Sequence, residues 1–302
     1  PFIICFCEEP MFGLNLDFNK IYNTLNEFIK KVYNGNKETT QLPSKVNRAY
    51  VDLYKFLSEH LYMMDHSKLV AIFENFLDMI LYNIQSIENL ATGENKEFIP
   101  FLDLTEDFAT LYNTFIRKIE IRQIIIKEQS ITDKVKTFLN VIGDILVNKN
   151  FFEVEPNKIP EPAISTMLQI LNISCLTFKY NEFYNVSEKH SGESIVINTL
   201  EHFNKLLEIM NSQSLLSKFE NNGLKSFMEL LKDLSLNMKL YEDKKLDFNK
   251  INEIILESQN IVQDIMKSDA TIADGLKGVL YEPLQKIHKR ITKYQKHFCE
   301  TS

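Results

Sequence analysis

The sequence predicts an all-α protein of ten or eleven helices, arranged in antiparallel hairpins as an α-solenoid or a large helical bundle. Apolar residues recur at three- and four-residue spacing along almost the whole chain, which is the helical period. Only 8 Gly and 8 Pro occur in 302 residues, so few residues interrupt regular structure. No stretch is convincing as a strand, and the chain is assigned to one domain over 1–302.

Capping residues and prolines divide the first part of the chain, to about residue 119, into helices. A helix is expected over 18–33, after Asp17, whose side chain can accept from the free N–H groups of the first turn. Pro43 opens a second helix, Asp65 a long third one, and Thr105 begins a fourth after a break.

The next segment contains an ambiguous apolar triplet. Ile124–Ile126 has the composition of a short strand, but it lies in a long charged helical context and is assigned to a helix. Ser130 and Asp133 are predicted to cap the following helix, which has Gly143 in its interior. The stretch 148–160 is irregular and is one of two places for a sub-domain break.

The most apolar helix of the chain is expected from Pro162 to Phe178, where no charged side chain occurs. Apolar residues cover nearly its whole circumference, and such a helix belongs in a core with neighbours on several sides. One face is marked by residues at steps of four, three, four and three: Ile164, Leu168, Leu171, Cys175 and Phe178.

The second half continues with helices after a polar stretch over 181–194. This stretch contains Gly192, is expected to be an exposed loop, and is the other place for a sub-domain break. Helices are then expected at about 194–211, 213–221, 224–241, 247–267 and 271–298, the last bent at Pro283.

Two kinds of internal similarity occur. Leu16–Ile21 recurs identically as Leu246–Ile251, although the similar segments share no common period. Phe138–Gly143, Leu168–Ser174 and Gly223–Leu231 resemble the buried third helix of armadillo-type repeats. The chain departs from that family in lacking a regular period and the usual glycine between the first helices. The resemblance to armadillo and HEAT-type repeats implies an α-solenoid that binds proteins.

Composition and charge exclude several classes of protein. The net charge of −7 argues against general nucleic-acid binding, which usually needs a basic face. No apolar run approaches the roughly 18 residues that a membrane span needs, so no transmembrane segment is expected. The chain begins at Pro1, which indicates a fragment or a processed product.

The cysteines leave the compartment open. Two disulfides with three pairings would tie both ends of a secreted chain, whereas free thiols with a buried Cys175 would suit the cytoplasm. A sequon at Asn185 in the polar stretch is a candidate glycosylation site if the protein is secreted, and a second at Asn172 should be buried. The candidate disulfide residues are Cys5, Cys7, Cys175 and Cys299.

Motifs for catalysis and for cofactors are not found. No His follows a Glu at the spacing of a ferritin-like di-iron site, and no His-Glu-x-x-His, EF-hand loop, P-loop or Gly-x-Ser-x-Gly motif occurs. The sequence therefore predicts no catalytic residue, metal or cofactor, and the protein is not expected to be an enzyme.

The C-terminal helix is basic and amphipathic. It suits an acidic protein partner or an acidic membrane surface, and a solvated helix face is the simpler interpretation. Its cations are Lys286, Lys289, Arg290, Lys293 and Lys296.

Together these features predict a non-catalytic binding or scaffold protein that acts through protein–protein interaction. The alternative is a secreted helical protein, stabilised by disulfides, that binds a host molecule or a ligand. A third class is an enzyme or carrier with a cavity between aromatic-rich helices.

Overall fold

Every element whose bounds are defined is helical, and the described residues contain no strand. The computed structural model describes residues 112–147, 161–187, 189–212 and 223–301 continuously, together with separate positions at 27, within 70–81, at 109 and at 216. The prediction of an all-α protein is confirmed.

The helices follow one another with short connections. In chain order they are α1 (Ile119–Lys127), α2 (Gln129–Val147), α3 (Glu161–Phe178), α4 (Gly192–Ser212), α5 (Gly223–Leu236), α6 (Met238–Glu242), α7 (Phe248–Ser268), α8 (Ala270–Leu276) and α9 (Glu282–Thr301). A 3₁₀ turn (Asn181–Phe183) follows α3, and a π-helical segment (Lys277–Tyr281) joins α8 to α9.

Helix α3 lies at the centre of the described core, as its apolar circumference predicts. Every residue from 167 to 178 is buried, and α3 packs along both α4 and α5. Two of its buried hydroxyls find partners: the hydroxyls of Ser174 and Thr199 lie 2.7 Å apart, as do those of Thr177 and Tyr112. The cost of burying these hydroxyls is therefore offset by hydrogen bonds.

The remaining helices surround this centre. Helix α4 also packs on α2 and α7, while α9 packs on α5 and α7. Buried residues from all of these helices form one continuous hydrophobic cluster. Helices α3 and α4 flank the second proposed break, at 181–194, and the two domain breaks stay predictions.

The stretch after α3 is less exposed than expected. Phe183 and Tyr184 are buried, although Asn185 is exposed. Gly192 is part of α4, and a Cβ at this position would lie 2.6 Å from the carbonyl oxygen of Tyr184. The prediction of an exposed loop over 181–194 was wrong for these residues, because two aromatic side chains dock in the core.

Two predicted helices are interrupted. The helix expected at 224–241 divides at Asn237, whose side chain donates to the carbonyl of Asp233 at 3.3 Å. The helix expected at 271–298 contains the π-helical segment, where Glu282 N–H donates to the carbonyl of Lys277. The widened turn ends two residues before Pro283, whose ring would clash with the carbonyl of Val279, four residues earlier, in a straight α-helix.

The predictions for individual helix positions are confirmed in part. Ile124–Ile126 lies within α1, which confirms its helical assignment. The prediction that Ser130 and Asp133 cap α2 was wrong, because α2 begins at Gln129 and includes both; the side chain of Gln129 donates to Asp133 at 2.8 Å. Asp247, which occupies the position of Asp17 in the repeated hexapeptide, caps α7 by accepting from two backbone N–H groups.

Other predicted elements fall elsewhere in the chain. Four of them lie outside the described residues: the helix over 18–33 with its cap Asp17, except for position 27, the helix opened by Pro43, the irregular stretch 148–160, and most of 213–221. Among the described residues, no helix combines the length and the apolar character that crossing a membrane requires.

Candidate functional site

A groove of about 690 Å³ lies between α5 and the C-terminal segment formed by α8, the π-helical segment and α9. Its volume falls in the range of small-molecule and cofactor sites. Its apolar lining consists of Leu224, Met228, Leu276, Val279, Pro283 and Ile287.

The π-helical segment positions the apolar wall of this groove. Leu276 and Ile287 are buried and form the floor, whereas Val279 is 51% exposed. A Cβ at Gly275, which lines the groove, would meet nothing within 4 Å, so this wall has open space beside it. The wide π turn therefore presents an aliphatic side chain to solvent at the edge of the floor.

Positive charges surround the apolar floor on both sides. Lys225 and Lys232 line it from α5, and Lys286 and Arg290 line it from α9. The three lysines are exposed, while the guanidinium of Arg290 donates to Ser235 Oγ at 3.2 Å and thereby ties α9 to α5.

Glu229 is the one acid among the described residues that line the groove. Its carboxylate accepts from Lys179 Nζ at 2.7 Å and lies 3.9 Å from the guanidinium of Arg117. Burial would raise its pKa, but the hydrogen bond and the charge of Lys179, together with the charges of Arg117 and Lys225, lower the pKa below its usual value. The negative charge of Glu229 is thus compensated mainly by Lys179 and Arg117, which are not part of the lining, and least by Lys225 on the rim.

The structure divides the basic face that the sequence predicted on the C-terminal helix. Lys286 and Arg290 line the groove, whereas Lys289, Lys293 and Lys296 are exposed on α9 and are not part of its lining. The simpler interpretation, a solvated helix face, describes those last three lysines.

Neighbouring residues hold α9 in place. The hydroxyl of Tyr294 donates to Glu242 Oε2 at 2.8 Å. Two causes raise the pKa of Tyr294 to about 12: the larger is burial, and the smaller is this contact with a carboxylate. On the other side, His288 Nδ1 and Asn252 Oδ1 are 2.7 Å apart. Contacts to both α6 and α7 therefore fix the orientation of the basic face.

Sequence reasoning missed the α5 half of the site. Lys225 and Lys232 are seven residues apart, which places them on one face of a helix, and Leu224 and Met228 lie beside them. That spacing is visible in the sequence, but only packing shows that this face meets α9. The exposure of Val279 has no signal in the sequence.

The other predicted site residues lie apart from the groove. Cys175 is a free, buried thiol and is not disulfide-bonded in the structure. Burial raises the pKa of this thiol. Cys5 and Cys7 lie outside the described residues, as does the side chain of Cys299, and pairing among those three stays a prediction. Asn185 is exposed, as a glycosylation site requires.

A polar cluster joins α2 to the turn before α4. His190 Nε2 lies 2.8 Å from Asp144 Oδ1, and Ser187 Oγ donates to Asn140 Oδ1 at 2.8 Å. Ser187 contacts the backbone N–H of His190 rather than its ring, so the two do not form a nucleophile–base pair. Within the described part of the chain, no three His, Cys, Asp or Glu side chains gather as metal ligands would.

Comparisons with known proteins add no family. No protein-family model and no curated protein matches the sequence. One solved structure that matches is described as a computational design of self-assembling cyclic protein homooligomers, with 12% identity over 92% of this chain and 99% of that chain. Its TM-score is 0.35, and a likeness this low supports no argument about fold or function.

Proposed function

We propose that the protein is a non-catalytic helical binding protein that acts through protein–protein interaction, with the groove between α5 and α9 as its contact surface. The observation that supports this most is the combination of a concave apolar floor with a charged rim. Protein interfaces have this anatomy, with an apolar centre that is desolvated on binding and polar residues around it.

The π-helical segment adds support. A π turn replaces the regular hydrogen bonds of an α-helix by bonds that span one more residue, and such turns occur frequently at functional sites. Here it lies in the wall of the groove and exposes Val279, an aliphatic side chain that a partner would cover. The proposed α-solenoid arrangement and its resemblance to armadillo and HEAT-type repeats fit this function, since such proteins bind partners along grooves between helices.

The experiment is site-specific photo-crosslinking. A photoreactive amino acid replaces Val279 in the groove or, as a matched control, Leu256, which is 41% exposed on α7 and outside the groove lining. We expect a defined protein to crosslink at position 279 and not at 256, and the purified partner to bind the chain directly. Equal crosslinking at both positions, or none at 279, would refute the groove as the contact surface.

The secreted, disulfide-stabilised alternative is favoured by one observation, the exposure of Asn185. With Cys175 buried and free, one disulfide at most can form among Cys5, Cys7 and Cys299. A glycan at Asn185 of protein purified from its native source would favour this alternative, and an unmodified Asn185 together with four free thiols would remove it.

A further inference from the structure

We infer that the groove receives one amphipathic α-helix of a partner protein, with an apolar stripe on the groove floor and acidic side chains along both flanks. This inference rests on the proposed function, because it names the chemistry of the protein that the same groove would bind.

The spacing of the rim fits a helix. Lys225 and Lys232 are seven residues apart on α5, which is about 10 Å along a helix axis. An amphipathic helix that enters a groove uses apolar anchors at positions i, i+4 and i+7, and these span the same length. Two turns of a partner helix therefore match the length of the groove between its cations.

The charge of both rims favours an acidic partner. Lys225 and Lys232 on one side face Lys286 and Arg290 on the other, in a chain whose net charge is −7. Glu229 is already paired with Lys179, so the partner need not supply a cation for it. A local positive site on an acidic protein attracts acidic segments and disfavours basic ones.

The lining argues against other acidic ligands. Apart from Val279 at the edge, the apolar side chains lie in a concave groove whose buried floor a planar membrane surface would not reach. No aromatic residue is among the described residues of the lining, so nucleic-acid bases find no stacking platform there.

Met228 in the lining favours a helix as the ligand. It is half-buried, and the flexible side chain of methionine adapts well to the irregular apolar face of a helix.

The test uses the full chain and three designed peptides of equal length. The first has Leu at i, i+4, i+7 and i+11 with Glu on both flanks, the second replaces Glu by Lys, and the third scrambles the first. Binding is measured by fluorescence anisotropy at low and at physiological salt, and helix formation by circular dichroism. We expect the acidic peptide to bind and to become helical on binding. Its affinity should fall as the salt concentration rises.

Matched charge reversals locate the binding. The double variant Lys232→Glu/Lys286→Glu changes the groove rim, and Lys289→Glu/Lys296→Glu makes the same change in net charge outside the lining. We expect the rim variant to bind the acidic peptide about tenfold more weakly, because each reversal turns an attraction into a repulsion, and the control variant to change less than about twofold.

Equal binding of the Lys-flanked or scrambled peptide, or equal loss in both double variants, would overturn the inference. Binding of the chain to anionic phospholipid vesicles that the rim variant abolishes, without peptide binding, would assign the groove to lipid instead. A partner that crosslinks at position 279 while the acidic peptide fails to bind would leave the proposed function standing and refute this inference alone.

Discussion

Gly143 in α2 provides the sharpest test of the packing between α2 and the turn before α4. A Cβ at this position would overlap the ring of His190, with Cδ2 as the nearest atom and Cγ 2.8 Å away. The ring of His190 is held by the contact of its Nε2 with Asp144 Oδ1 at 2.8 Å, so it cannot move aside without losing that partner. We therefore predict that Gly143→Ala destabilises the protein.

The magnitude follows from two opposing effects. Overpacking a closely packed site costs about 1–3 kcal/mol. Alanine in a helix interior is about 1 kcal/mol more favourable than glycine. The expected net change in the free energy of unfolding is a loss of about 0–2 kcal/mol. In a His190→Gly background no side-chain atom of residue 190 remains to clash, and Gly143→Ala should then stabilise the protein by up to about 1 kcal/mol.

Urea unfolding of wild type, both single variants and the double variant measures this coupling. The expected signature is a change of sign: the alanine at 143 destabilises when His190 is present and stabilises when it is absent. If Gly143→Ala has the same effect in both backgrounds, the two residues are not in contact as described, and the reasoning fails.

Three further predictions concern a helix cap, a carboxylate and a thiol. Asp247→Ala should lower the free energy of unfolding by about 1 kcal/mol in urea unfolding, because the carboxylate accepts from Asn249 N–H at 2.8 Å and Lys250 N–H at 3.3 Å. The lowered pKa of Glu229 means that its charge stabilises the fold above the ordinary carboxyl pKa of about 4.3, and that this stability is lost as pH falls through the folded pKa. Glu229→Gln should therefore reduce stability at pH 7 and flatten its decline from pH 5 to pH 3 in thermal unfolding. Cys175 should resist thiol reagents in the native protein and react after denaturation, because it is buried and its pKa is raised.

Each of these has a matched control. Asp264→Ala, at an exposed position on the same helix as Asp247, should change stability by less than about 0.5 kcal/mol, and an equal loss in both variants would contradict the cap. Glu208→Gln, at an exposed position on α4, should leave the acid dependence unchanged. A thiol count in denaturant without reductant should give two or four; a count of zero would show that Cys175 is bonded.

The helices themselves were predictable where one local pattern decides them. The absence of charge from Pro162 to Phe178 is a property of sequence alone, and a helix that is apolar all round can only be stable in a core. Ile124–Ile126 was assigned to a helix by its neighbours, and α1 confirms that assignment.

Interruptions and loop burial were harder to predict because distant contacts control them. Phe183 and Tyr184 stand in a polar stretch, yet the ring of Tyr184 packs 5.4 Å from Phe178 and 5.0 Å from Tyr241. A proline signals a disturbed helix, but whether the backbone kinks or adopts a π turn depends on the packing around it, and at Pro283 it adopts the π turn.

The candidate site, like the fold, was predictable from the sequence only in part. The sequence alone determined that the protein is all-helical, that one uncharged helix lies in its core, and that its last helix carries a row of cations, since each of these depends on residues a few positions apart. The tertiary structure decided that Lys286 and Arg290 face Lys225 and Lys232 across an apolar floor while Lys289, Lys293 and Lys296 do not. The physical reason is that a groove forms between helices far apart in the chain, and its composition depends on how those helices pack.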